Sequence, residues 1–239
     1  ETFSNYIGYL CTACLMCRAP TGPLRSVEVK RAKIAIDKRA QFVPRAKQFI
    51  QRSLLVDILA RLPVVEQILD ASAAESFAML YLAAYTFLLR VPPEALPMRK
   101  GGPGVSPKDN QSVITLEGNQ VRSCLVGGAF VACLSRQVIV RLRDRKNGLR
   151  GSVLARECWC KQCTKTCPVH VLWKFFEQLP IGCAPFCKIT GDYANQVLRA
   201  CCEALMVKQA KLYRCHDFRR GHSEDMRKAG ATLKEILGA

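Results

Sequence analysis

The sequence predicts a mainly α fold with a small β-hairpin or sheet, an α+β domain, and three observations predict it. Apolar residues recur at helical spacing in several blocks separated by proline and glycine. One stretch, residues 138–156, changes to two-residue alternation around an Asn147-Gly148 pair. Finally, 49% of the 239 residues are apolar, which is ample for a core and too many for a disordered chain.

The elements follow in order. Residues 2–17 carry Tyr6, Ile7, Leu10, Cys14 and Cys17 at helical spacing, ended by the prolines at 20 and 23. Cys11, Cys14 and Cys17 have a ligand-like spacing, but with no histidine nearby they read as a helix face. Residues 21–47 form a basic linker with a short amphipathic helix near 29–36. A globular unit begins near Gln48. Leu54, Leu55, Ile58, Leu59 and Leu62 mark a helix closed by Pro63, and residues 74–89, apolar nearly all round, predict a central one. Residues 99–108 read as a loop. Residues 113–116 form a short strand, and 138–145 pair with 151–156 as a hairpin whose turn is Lys146-Asn-Gly148. Residues 121–137, with Gly127-Gly128, interrupt the strand region and look inserted. Helices are expected over 169–178, 193–209 and from 216 to near Gly230. A capping box at Thr232-Leu-Lys-Glu235 opens one more.

Charge narrows the partner. The net charge is +17, with nine basic and two acidic residues in 25–52 and eight and two in 136–161. Such concentration suits a polyanion, nucleic acid before a membrane surface. The longest apolar run, 77–89, is too short to span a bilayer, so no membrane association is expected. The fourteen cysteines suggest disulfides, yet the opening residues resemble no signal peptide and Cys201 and Cys202 fall inside a helical block. A reducing, intracellular setting is expected.

Three groups of residues carry chemistry. His216, Arg219 and His222 are spaced by three, which predicts one helix face presenting imidazole and guanidinium to a phosphate. The plain alternative is a solvated basic face. Arg90 follows the central helix beside Pro92 and Pro93, either capping its carboxyl end or gripping an anion. Then Cys158, Cys160, Cys163, Cys167 and His170 crowd into thirteen residues before a helix start, enough donors for one structural zinc. Their alternative is a set of reduced, partly buried thiols.

Together these motifs resemble the tyrosine recombinases, the phage-integrase family, and in wording the fungal, crypton-like branch of mobile elements. The resemblance rests on Thr86-Phe-Leu-Leu-Arg90-Val-Pro-Pro-Glu94-Ala-Leu-Pro97, Arg145-Lys146-Asn147, Cys158-Trp-Cys160, Thr166-Cys-Pro-Val-His170 and His216-Asp-Phe-Arg-Arg-Gly-His222. It implies that residues 1–20 end a helical core-binding domain and that 48–239 form a catalytic domain incomplete at its C-terminus. It implies DNA recombination and integration by strand breakage and rejoining through a 3′-phosphotyrosyl intermediate, with no cofactor for catalysis. Arg90 and Arg219 would neutralise the phosphate oxygens, Lys146 would protonate the leaving oxygen and His216 would assist proton transfer. The DNA contacts expected around them are Lys30, Arg31, Lys33, Lys38, Arg39, Arg45, Lys47, Arg143, Arg145, Arg220 and His222. Double-stranded DNA, a homo-multimer on DNA and a nuclear location are implied with it. Three departures accompany the match, and the inserted look of residues 121–137 relative to the family is one of them. The family's nucleophilic tyrosine falls beyond Ala239, so Tyr193 and Tyr213 are expected to be packing residues. Glu94 stands four residues after Arg90 where most members place an acid at three. The other reading is a catalytically inactive DNA-binding, zinc-binding remnant of such an element.

Overall fold

The computed structural model describes residues 31, 34, 48–66, 70–102, 112–126, 129–142, 152–158, 167–232 and 235–236. The chain divides into two compact units, 1–47 and 48–239. In the first, Arg31 and Ile34 are helical and exposed, and the rest of the expected helix and linker lies outside the described residues. The second unit is α+β, helices packed with one four-stranded sheet.

Helix α1 (Arg52–Arg61) turns Leu55 and Ile58 inward. One 3-10 turn, Leu62–Val64, carries Pro63 past its end. Helix α2 (Ala71–Thr86) is opened by Asp70, whose carboxylate accepts the Ala73 N–H at 2.6 Å. All of its residues from Met79 to Thr86 are buried, the central position that its unbroken apolar run predicts. It stops three residues short of the expected 89. Leu88 takes a left-handed conformation (φ 51°), and the Leu88 and Leu89 N–H groups turn back to the carbonyls of Tyr85 and Ala84. That Schellman closure needs no glycine when the side chain is held by packing, and Leu88 is buried.

Helix α3 (Pro168–Gln178) buries Val169, Leu172 and Phe176. Helix α4 (Gly191–Ala204) starts at Thr190, whose hydroxyl accepts the Tyr193 N–H, and buries Ala194, Val197, Leu198, Cys201 and Cys202 along one stripe. Sequence periodicity carries this helix to 209. Met206 (φ 53°) ends it earlier by the same closure, with Met206 N–H to Glu203 O and Val207 N–H to Cys202 O, both 2.9 Å. Helix α5 (His216–Lys228) ends at Gly230 (φ 88°), as expected. The capping box forms: Thr232 N–H donates to Glu235 at 2.7 Å, and Glu235 N–H donates to the Thr232 hydroxyl at 3.3 Å.

Tyr81 joins three of these helices. Its ring lies 4.8 Å from Phe218 on α5, and its hydroxyl donates to Ala194 O on α4 at 2.6 Å. One turn beyond Phe218 on α5 the chain at Ile50 comes so close that a Cβ at Gly221 would stand 1.8 Å from the Ile50 carbonyl oxygen. Only glycine admits that approach.

The sheet runs β1 (Arg99–Lys100), β2 (Ser112–Val126), β3 (Ala129–Leu142), β4 (Ser152–Glu157), in that order. β3 and β4 pair antiparallel with Leu142 opposite Ser152, the expected hairpin, and its turn lies outside the described residues. Two expectations need correction. Arg99 and Lys100, read as loop, pair parallel with Val113 and Ile114, because Lys100 N–H also finds Cys183 O and Gly101 N–H finds Ile114 O. Residues 121–137 do not interrupt the strands. β2 and β3 run on together through Val126 and Ala129, with one irregularity between Gly118 and Gln120. No described helix is long and apolar enough to cross a membrane.

Candidate functional site

Arg90 is placed by the closure of α2. The left-handed turn at Leu88 sends the chain into an extended Arg90 (φ −81°, ψ 121°), which opens one wide π turn over Val91–Ala95. Glu94, only 2% exposed, folds back on it. One carboxylate oxygen accepts Arg90's own backbone N–H at 2.7 Å, and the other accepts Nε at 2.8 Å and Nη2 at 2.7 Å. This fixes the guanidinium plane while leaving Nη1 without a partner among the described residues. Capping of α2 falls to another side chain: Arg156 on β4 donates Nε to Thr86 O at 3.1 Å and lies over the Phe87 ring. The grip was not legible as such, although an arginine and an acid four apart beside two prolines were visible.

His216 opens α5. The segment before it is tied to α4, where Asn195 accepts the Cys215 N–H at 2.9 Å and Arg199 donates to Tyr213 O at 3.0 Å. His216 is exposed at the surface; the partial burial of its ring lowers its pKa first, then the cations of Arg220, Arg219 and Arg90 lower it further, with only Asp217 opposing. Arg90 on the π turn and the arginines of α5 therefore act on one imidazole. Buried Asp217 neutralises part of this charge, accepting Arg220 Nη1 at 2.9 Å and the Arg214 N–H at 2.8 Å. Half-buried Arg219 has no carboxylate partner among the described residues.

His222 is not brought to that group. Steps of three residues each fall about 60° short of a full turn, so after six the side chain has drifted about 120° round the helix. The structure seats its ring edge-on against Tyr85, 4.6 Å between centroids, with Nδ1 buried and unpaired. Burial, helped by the Arg156 charge, pushes its pKa down to about 4. A neutral, inward imidazole is a packing group rather than a phosphate contact.

Comparison of the chain with models of protein families finds none that matches, and comparison with curated proteins finds no match either. The site therefore stands on its own residues.

Of the other expected contacts, Arg31 is exposed and Arg220 is held by Asp217. Lys146, Lys30, Lys33, Lys38, Arg39, Arg45, Lys47, Arg143 and Arg145 lie outside the described residues. All four described tyrosines are packing groups. Tyr81 and Tyr213 are buried, Tyr85 donates to Asp225 at 2.5 Å, and Tyr193 meets Phe77 edge-on at 5.0 Å.

A second cluster lies where β4 meets α3. The Cys158 sulfur is 3.0 Å from His170 Nδ1 and 3.4 Å from the Cys167 sulfur. The three donors lie within 4.8 Å of one another and could hold a metal ion. Burial, then the Arg136 cation, lowers the His170 pKa, which favours the neutral, ligating imidazole. Cys160 and Cys163, the remaining expected donors, lie outside the described residues.

Proposed function

We propose that this chain binds double-stranded DNA through its phosphates, and that Arg90, Lys146, His216 and Arg219 form the phosphate clamp of a tyrosine-recombinase-like strand-breakage site. One observation carries the reading. Partial burial first, and then the charges of Arg220 and Arg219 on α5 and of Arg90 on the π turn, lower the His216 pKa against Asp217, so guanidiniums from two elements act on one imidazole at the start of a helix. Arg90, oriented by Glu94, and Arg219, without a carboxylate partner among the described residues, suit a phosphodiester beside this imidazole: the guanidiniums take the non-bridging oxygens, and the imidazole exchanges a proton with the reacting oxygen. Glu94 supports this by presetting Arg90 before any ligand arrives. The metal that Cys158, Cys167 and His170 can hold is read as a structural zinc, outside the reaction. The packed state of the described tyrosines favours a second reading, binding without cleavage by these 239 residues.

Fluorescence anisotropy on duplex DNA across a salt series tests the claim. With roughly 6–10 phosphates neutralised, affinity falls about 10³–10⁵-fold between 50 and 200 mM salt. Arg219→Ala weakens binding for all duplex sequences alike and flattens the slope. Affinity indifferent to salt rejects the proposal.

A further inference from the structure

The metal-capable cluster joins two different elements. Cys158 is the first residue beyond β4 and stays in the ladder, its N–H donating to Arg136 O at 2.8 Å. Cys167 is the residue before α3 and makes no side-chain cap to that helix, whose first position is Pro168. His170 sits in the first turn of α3, three residues on. Tetrahedral zinc, with Zn–S near 2.3 Å and Zn–N near 2.0 Å, sets sulfur–nitrogen separations of about 3.6 Å and sulfur–sulfur separations of about 3.8 Å. The separations here, 3.0 and 3.4 Å, are a few tenths of an ångström shorter.

We infer that Cys158, Cys167 and His170 bind one zinc ion that staples the end of β4 to the start of α3. Two thiolates and an imidazole suit a borderline-soft cation, and the absence of oxygen donors from the set disfavours magnesium and calcium. Two thiolates also cancel the dication, so the ion can sit near Arg136 without raising the local charge. The plain alternative is a thiol hydrogen-bonded to an imidazole. Such weak S–H bonds add little to stability, whereas an ion crosslinks two elements whose core residues, Leu154 on one side and Val169, Leu172 and Phe176 on the other, share one cluster. Bound here, zinc is a folding ligand of the sheet-side layer, and its place is separate from the Arg90–His216 group.

The test uses the whole 239-residue chain, purified from zinc-replete cells. Elemental analysis is expected to find one zinc per chain. Chelation with phenanthroline is expected to lower the unfolding temperature, with recovery on adding zinc and none on adding magnesium. Cobalt(II) in place of zinc is expected to give the intense visible bands of a tetrahedral thiolate site. Because Cys158 is buried and its replacement can simply misfold, the diagnostic variant is His170→Gln, checked for native circular dichroism and expected to lose stoichiometric zinc. Well under one zinc per chain with an unchanged unfolding temperature overturns the proposal. So does iron or copper in its place, or full zinc retention by His170→Gln. Anisotropy on the same samples keeps the two claims apart: lost DNA affinity with zinc intact counts against the phosphate clamp alone.

Discussion

Glu94 shows how much one buried carboxylate decides. It is almost fully enclosed, and the three contacts of its carboxylate are all to Arg90, one to the backbone N–H and two to the guanidinium. Arg90→Ala leaves that carboxylate with one backbone donor, the N–H of residue 90, and is expected to cost about 3 kcal/mol in urea unfolding. Arg90→Ala/Glu94→Ala is expected to recover part of the loss, because the stranded charge is gone. A double variant no more stable than Arg90→Ala alone would show that the pair is not coupled. His222 makes a prediction of opposite character. Its folded pKa is near 4 against about 6.5 in the unfolded chain, so the unfolded state takes up the proton first. The stability linked to this residue is complete above pH 6.5 and declines as pH falls toward 4, by about 2–3 kcal/mol. Urea midpoints measured from pH 7.5 to 4 should show that decline, and His222→Phe should flatten it.

At the scale of elements, three helices end in the same closure with three different residues in the left-handed position: Leu88, Met206 and Gly230. Leu88 is buried and Met206 is 90% exposed, so only the second pays a conformational cost with no packing in return. Met206→Gly is therefore expected to stabilise the unit by about 1 kcal/mol, while Leu88→Gly destabilises it; thermal unfolding of both variants checks the contrast. The same closures explain what the sequence hides. Periodicity found α4 through Ala194, Val197, Leu198, Cys201 and Cys202, and Thr232 with Glu235 marks its helix start openly, whereas the start of α4 at Thr190 was expected three residues later, at 193. The stop at Met206 carries no glycine signal, so the helix was expected to continue. β1 is two residues long and exists because distant carbonyls at Ile114 and Cys183 meet it, which no local pattern records. Gly127-Gly128 reads as a break, although the strands on either side of it continue the same ladder. In the site, Arg90, His216 and Arg219 were readable from type and spacing. The inward seat of His222 was not, because spacing by three drifts around a helix.

For the whole molecule, the expected outcome is binding without covalent capture. In-line attack on a phosphodiester needs an oxygen about 3–3.5 Å from phosphorus. Among the described tyrosines, Tyr213 is the nearest in sequence to His216, and it is buried with burial first among the causes raising its pKa. A nicked suicide duplex incubated with the 239 residues and run on a denaturing gel should show no shifted protein–DNA band. A shifted band that disappears in Tyr213→Phe would name that residue as the nucleophile and remove the packing assignment.

Asp225 has a consequence for the order of assembly. α1 has no side-chain cap of its own at Gln51; the Arg52 N–H is instead accepted by Asp225, 173 residues later, at 2.8 Å. The same carboxylate oxygen takes the Tyr85 hydroxyl, and Ile50 N–H goes to Asp217 O on the same late helix. On a ribosome, the first helix of this unit emerges long before the residues that finish its amino end. It must wait as an open, uncapped segment until α5 has been made. α5 thus closes the unit by completing α1, and a chain released before Asp225 would leave α1 with its leading amide unanswered.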